Sequence, residues 1–413
     1  MTAASERDVP ETDLLDPEAR TDPLGWFSRV RERGAVVPSH APDGTPMLLL
    51  TRDADVRFVL SDPRFVTSAA AVDGAPDPRS AMMEQMGMPS EVVPYMNRTI
   101  LDAAGSDHTR LRKLVARGFT VRRVAELRPR VQEIADALLD DLAADPGVVD
   151  LVPRYGSPLP ITVISELVGV PEGERDQWHE WSSAMVVRDP ATVGPAMRAM
   201  IAYCHELVDR RRAEPTDDLV SGLVRAQEAD GDRLSDVEMV TMILTLVIAG
   251  HETTSSLLSN AVPALLAAPD QLDRLRREPG GWPDAVAELM RLETPVLVTR
   301  PRYALEEVEV AGVTVHRGEI VHPLLLSANT DPAVHDDAAR FDVTRHHDGP
   351  GEGHVGFGFG VHYCLGAALA RQEIEVALSS LFSRFPQLRV EGEPEPFAGL
   401  GFRRFTTMPL RLG

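Results

Sequence analysis

The chain has 413 residues, enough to bury a large core, and carries 42 basic against 63 acidic residues, a formal charge of −21. So acidic a molecule argues against nucleic acid or an anionic membrane as its partner. Its two cysteines, Cys204 and Cys364, make no disulfide framework, and a reducing cytoplasm fits them best.

Such a length allows two or three domains at about 150 residues each. No Gly/Ser linker, low-complexity tract or internal repeat divides it, so a single large domain over 21–413 is expected. Arginine almost replaces lysine (Lys113 is the one lysine), which is the codon signature of a GC-rich bacterial genome. Residues 1–20, acidic and holding Pro10 and Pro17, read as a poorly ordered leader. No basic-then-apolar signal pattern opens it. Residues 47–51 read as a strand. The region 66–100 holds Gly74, Pro76, Pro78, Gly87 and Pro89, with methionines at 82, 83, 86 and 88. It reads as a long adaptable loop, either a lid or binding wall or a mobile stretch of surface.

Further on, 128–142 places Val131, Ile134, Leu138 and Leu142 on one helix face. Cys204, in the helical run 201–212, reads as a small buried hydrophobe. The segment 235–266 is a long helix, opened by a capping box of Ser235 and Glu238 and closed before Pro269. Its centre, 242–248, is apolar nearly all round and should be buried. The longest apolar stretch, 240–249, is broken by threonines and far short of the roughly 20 residues that span a membrane. His251, Glu252, Thr253 and Thr254 in such a helix need a reason, because an acid is costly to bury and threonine is a mediocre helix former. Residues 308–321 alternate around Gly312 and Gly318 and read as paired strands; 402–412 reads as another β segment. The fold class is mainly α with small β-sheets.

The strongest local signal is Phe357-Gly358-Phe359-Gly360-Val361-His362-Tyr363-Cys364-Leu365-Gly366, with a helical pattern directly after it. The glycines let the backbone turn tightly and approach a flat ligand. A cysteine at a helix N-terminus is expected to be stabilised as thiolate, the form that ligates iron. Zinc is not indicated, since no further Cys or His stands at ligand spacing. A cysteine hydrolase using Cys364 with His362 survives locally as an alternative.

These residues resemble the cytochrome P450 family, whose bacterial haem loop reads Phe-Gly-x-Gly-x-His-x-Cys-x-Gly. Three further motifs stand in the order that family requires, so the resemblance covers nearly the whole chain. The resemblance implies the cytochrome P450 fold and haem b with Cys364 as axial thiolate and metal ligand. Phe357, Gly358, His362 and Gly366 are carried over as cofactor-binding. Within Ala249-Gly250-His251-Glu252-Thr253-Thr254, Ala249 and Gly250 make room beside the haem, and Glu252 and Thr253 look like the family's acid–alcohol pair for proton delivery. Taken alone, that threonine reads as back-bonded to its own helix. Glu288 and Arg291, three apart on one helix face, look like the family's buried structural network, with Arg345 as third member; alone they would be a solvated surface pair. His108, Arg112, Arg302 and His362 should hold the haem propionates, with Arg300 ranked behind Arg302. One departure is Ala328-Asn329-Thr330-Asp331-Pro332, where many members carry arginine in place of Thr330, and a weakened local salt network is expected there.

By the same resemblance the activity is monooxygenation, inserting one oxygen atom of O2 by hydroxylation or epoxidation. The chain looks most like members that tailor macrolides and other polyketides; a terpenoid, steroid, fatty acid or xenobiotic is the alternative. Candidate pocket residues are Met86, Val92, Val247, Ala249, Val296, Leu297, Val298 and Phe402, mainly apolar. No flavin or nicotinamide fingerprint occurs, so a ferredoxin and its reductase are expected to supply electrons. Part of the cluster Arg110, Arg112, Lys113, Arg117, Arg122 and Arg123 is the expected docking site. A monomer is expected. A haem protein that only senses ligand is the rival from another class, and the pairing of Glu252 with Thr253 argues against it.

Overall fold

The computed structural model describes residues 11–14, 16–85, 88–97, 99–187, 190–229, 234–345, 353–397 and 401–413. The long helix Asp236–Leu266 runs through the largest apolar cluster, and the capping box forms at its start as the sequence predicts. Ser235 Oγ accepts from Glu238 N and the Glu238 carboxylate accepts from Ser235 N at 2.7 Å. Pro269 opens the next helix, Pro269–Arg277, at the position where a missing N–H costs nothing. Helix Pro158–Val168 lies against the long helix at Gly250, where a Cβ would stand 3.1 Å from Ile164 Cγ1. Part of the space Gly250 opens is therefore taken up by helix packing. Helix Val121–Ala143 buries Val131, Ile134 and Leu142 as expected, together with Leu139; Leu138 is half-buried.

The β structure forms a second layer. Five strands pair in the order Val36–His40, Pro46–Leu50, Ile320–Pro323, Arg302–Ala304, Phe65–Val66. Only Pro46–Leu50 with Ile320–Pro323 is parallel. The expected strand near 47–51 is an interior one, with Leu49 and Leu50 fully buried. Val308–Val310 and Val313–Val315 form a hairpin that turns through Ala311 and Gly312, at φ 50° and 80°. Gly318, at φ 83°, then lets the chain enter the large sheet. Pro409–Arg411 pairs with Val148–Asp150 and Arg389–Val390.

Within the stretch read as a leader, Thr12 N donates to Pro38 O, Ser39 Oγ donates to Thr12 O, and Trp26 Nε1 reaches Asp16 at 3.3 Å; residues 1–10 lie outside the described residues. One expectation changes. The region 66–100 is not one loop. It contains helices Pro78–Gln85 and Val93–Asn97, with Met83 and Val92 buried; Met86 lies outside the described residues. No helix among the described residues is long and apolar enough to cross a membrane.

Candidate functional site

A cavity enclosing about 1620 Å³ of empty space, part of it open to solvent, lies between the cysteine loop and the long helix. Phe357, Gly358, His362, Cys364 and Gly366 form one side; Ala249, Gly250, Thr253 and Thr254 form the other. Residues scattered from 60 to 374 thus meet at one space.

The loop is shaped by its backbone. Gly358 and Gly360 adopt φ 76° and 70°, and a Cβ on Gly360 would run into the Leu60 carbonyl. Cys364 N donates to Phe357 O at 2.9 Å, closing the loop around the sulfur. Arg112 Nη2 donates to Tyr363 O at 2.7 Å, and Arg371 lies 5.1 Å from the Phe357 ring centre. The sequence led us to expect a thiolate held by the helix end. The helix begins only at Ala367, so the Gly366 N–H is what reaches the sulfur. Burial outweighs it and pushes the Cys364 thiol up, with Arg112 and Arg371 opposing. A metal cation would reverse that balance, because a coordinated thiol is deprotonated outright. Cys204, by contrast, is fully buried and does not line the cavity, in keeping with the small buried hydrophobe expected.

At one corner His108, Arg112, Arg300, Arg302 and His362 converge. His108 and His362 rings lie 4.3 Å apart, and the buried His108 Nε2 has no hydrogen-bond partner among the described residues. Burial and then the Arg302, His108, Arg112 and Arg300 charges press His362 down to about 3. Burial and Arg300 press Arg302 down to about 10. Arg300 itself is engaged by Asp102, which fits its lower rank. Such a corner repels further cations and suits paired carboxylates, so the residues fit haem: a sulfur ligand on one wall and propionate partners at the edge.

On the long helix, Thr253 lines the cavity while its hydroxyl donates to Ala249 O at 2.8 Å, the back-bond expected of a threonine in a helix. Glu252 does not line the cavity. Its Oε1 lies 3.1 Å from Arg404 Nη1, which explains how an acid can stand in this helix. His251 is buried against Val247 O at 2.9 Å and is pushed below its usual value, by burial first.

Among the candidate pocket residues, Ala249 and Val296 line the cavity. Val247 does not, because it projects from another face of the helix than Leu246, Ala249 and Thr253. Val92 is buried in the main core. In the extended stretch 295–299, Pro295, Val296 and Thr299 line the space, while Leu297 and Val298 pack into a separate cluster. Phe402 stands behind, bridged to Val296. Sequence reasoning missed Ile100, Leu101, Thr245 and Leu246. The last two could have been found by stepping back three and four residues from Ala249.

The supporting network is buried outright. Arg291 Nε and Nη2 bind Glu288 at 2.7 and 2.8 Å, and Arg345 Nε reaches Glu288 Oε1 at 3.3 Å. Asn329 Nδ2 donates to Arg291 O, and Asn329 Oδ1 accepts from Val355 N at 2.7 Å, which passes the anchorage to the cysteine loop. At the departure, Arg31 comes from helix Pro23–Arg33, donating to Ser327 O at 2.7 Å and Thr330 Oγ1 at 3.2 Å. Its charge interacts with Asp331, so the expected weakening is offset by a cation from elsewhere in the chain.

Comparison with known proteins agrees with this geometry. The family model "Cytochrome P450" matches residues 192–279 and 283–405. Cytochrome P450 107B1 of Saccharopolyspora erythraea is 41% identical over 390 residues, 94% of each chain. Mycinamicin IV hydroxylase/epoxidase of Micromonospora griseorubida is 39% identical, covering 96% of this chain and 95% of that one. The structure of the tirandamycin C-bound P450 monooxygenase TamI superposes with a TM-score of 0.86 at 35% identity, covering 98% of this chain and all of that one. With the cysteine loop, the cation corner and the threonine helix around one cavity, these likenesses along the whole chain make it a member of the cytochrome P450 family, a haem-thiolate monooxygenase.

Proposed function

We propose that this monooxygenase hydroxylates or epoxidises a macrolide or another bulky, mostly aliphatic polyketide. One observation carries the reading: a thiol, a propionate-suited corner and Thr253 share a cavity whose remaining wall includes Ile100, Leu101, Leu246, Ala249 and Val296. That wall is apolar and almost free of aromatic rings, which suits a large aliphatic ring better than a flat aromatic one. The relative from Micromonospora griseorubida is named for hydroxylating and epoxidising mycinamicin IV, and that supports the reading.

When bound, haem supplies the activation of dioxygen and the transfer of one of its oxygen atoms. Cys364 holds the iron. His108, Arg112, Arg302 and His362 hold the propionates. Ala249 leaves space beside the reacting carbon. The Thr253 hydroxyl hands on protons, and Glu252 replenishes them through water while the apolar wall excludes bulk solvent. A ferredoxin, reduced by its reductase, docks where Lys113, on helix Gly105–Ala116, and Arg117, the residue that caps it, are exposed. That helix touches the cysteine loop through Arg112 and Tyr363. Arg110, Arg122 and Arg123 of the same cluster pair with Glu238, Glu126 and Asp217. The cytoplasm is the proposed compartment, in keeping with two free cysteines.

The test is the absorption spectrum of the reduced, carbon monoxide-treated protein, followed by titration with mycinamicin IV. A strongly red-shifted Soret band and a substrate-induced spin-state change, with an oxygenated product from NADPH, ferredoxin and reductase, support the reading. A histidine-type band overturns the monooxygenase reading in favour of a sensor; the red-shifted band with mycinamicin IV left unoxidised counts against the macrolide assignment alone.

A further inference from the structure

An acid that must deliver protons to the cavity does not line it. Glu252 precedes Thr253 by one residue, yet its carboxylate is turned toward Arg404, with the two side chains 19% and 8% exposed. Arg404 is fixed in turn: its guanidinium lies 3.8 Å from the Phe397 ring centre, and its carbonyl accepts from Phe397 N at 3.0 Å.

The segment that carries Arg404 is also the backing of the cavity wall. Gly401 O accepts from Leu297 N at 2.9 Å, Phe402 bridges to Val296, and Arg403 N donates to Pro295 O at 2.8 Å. Pro295 and Val296 line the cavity. Arg403 secures the other face, with Nη2 2.7 Å from Glu293 Oε2 and Nη1 3.0 Å from Leu292 O. Asn260 of the long helix donates to Arg403 O at 2.9 Å. The Phe402 backbone is thus bridged to Val296, Arg404 two residues on meets the acid, and Arg403 between them turns to Glu293.

We infer that Arg404 is the positioning residue for Glu252, and that through Phe402 it ties the acid to the wall against which substrate rests. This deepens the proposed function and rests on it. A carboxylate clamped by the buried Arg404 guanidinium stays in place, where it can exchange a proton with water and pass it toward Thr253. A substrate that presses on Val296 moves the segment that holds the clamp. Proton supply is then best aligned when the cavity is filled.

Coupled turnover consumes NADPH, a proton, dioxygen and substrate, and yields oxygenated product, water and NADP+. When protons arrive out of place, the same two electrons leave as hydrogen peroxide, with no substrate oxidised. In Arg404→Gln, the fraction of NADPH electrons recovered in product from mycinamicin IV should fall about tenfold, with peroxide rising to match. The carbon monoxide band should be unchanged, and Arg404→Lys should recover most of the loss. Phe402→Ala should uncouple the wild type and add nothing in the Arg404→Gln background.

A readout without turnover is thermal unfolding of the haem-loaded protein. Glu252→Gln, Arg404→Gln and the double variant should be non-additive, the double losing no more than the worse single. Wild-type coupling in Arg404→Gln, or an additive thermal cycle, overturns the inference. Should Arg404→Gln fail to take up haem, Arg404→Lys and Glu252→Gln complete the cycle. If the wild type itself gives no red-shifted band, the monooxygenase reading fails. If it gives the band but leaves mycinamicin IV untouched, only that substrate class is weakened, and the thermal cycle alone decides Arg404.

Discussion

At the scale of single residues, the site works by setting unlike groups against their surroundings. Cys364 is buried enough that its thiol is pushed up, and only a metal's charge makes the thiolate the stable form. Cys364→Ala should therefore lose the red-shifted carbon monoxide band while leaving a folded protein, as measured by absorption and far-ultraviolet circular dichroism. Glu293 shows the same kind of tension in a carboxyl group. Burial raises it to about 7, and Arg403 only partly offsets this. A carboxyl raised in the folded state binds a proton that the unfolded chain has released, so its contribution is full below the ordinary carboxylate range. It is lost as pH rises through about 7, over a span worth on the order of 3 kcal/mol. The unfolding temperature of Glu293→Gln should consequently fall less than that of the wild type between pH 5 and pH 8, on the order of these bounds.

At the scale of elements, the cysteine loop is held from two directions. Its own backbone needs Gly360 at φ 70° with no side chain to meet the Leu60 carbonyl. Gly360→Ala should cost at least about 2 kcal/mol and lower haem content per chain, read by calorimetry and by the haem-to-protein absorbance ratio. From below, the Glu288–Arg291 pair passes its anchorage through Asn329 to Val355. Both members of the pair are fully buried, so Glu288→Ala leaves a buried guanidinium without its carboxylate. A loss of roughly 3–5 kcal/mol is expected, far above that of a surface pair, and chemical denaturation would measure it.

At the scale of the whole molecule, a charge of −21 surrounds a small exposed basic area at Lys113 and Arg117. Reversing both to glutamate should slow reduction by ferredoxin about tenfold at low salt and flatten its ionic-strength dependence, with the carbon monoxide spectrum unchanged. Unchanged stopped-flow kinetics would remove these residues from the docking site.

Local pattern made several parts of the molecule readable in advance. The capping box, the buried centre of the long helix, the hairpin around Gly312 and the glycine-framed Cys364 each depend on residues close together in the chain, where spacing and backbone freedom decide the outcome. The motifs also named His108, Arg112, Arg302 and His362, and all four line the cavity. Other features had no such signal. Arg404 meets Glu252 across 152 residues (404 − 252), and Arg31 reaches Thr330 across 299. The thiol's balance depends on burial, which no spacing encodes. Helix pattern fixed which residues belong to one element, but its rotation decided that Ala249 faces the cavity and Val247 does not. By itself the sequence determined the ligand, the helix and the supporting pair, because each is a local arrangement. Only the tertiary structure decided where the acid stands and which apolar residues line the cavity, because those depend on what distant segments bring against them.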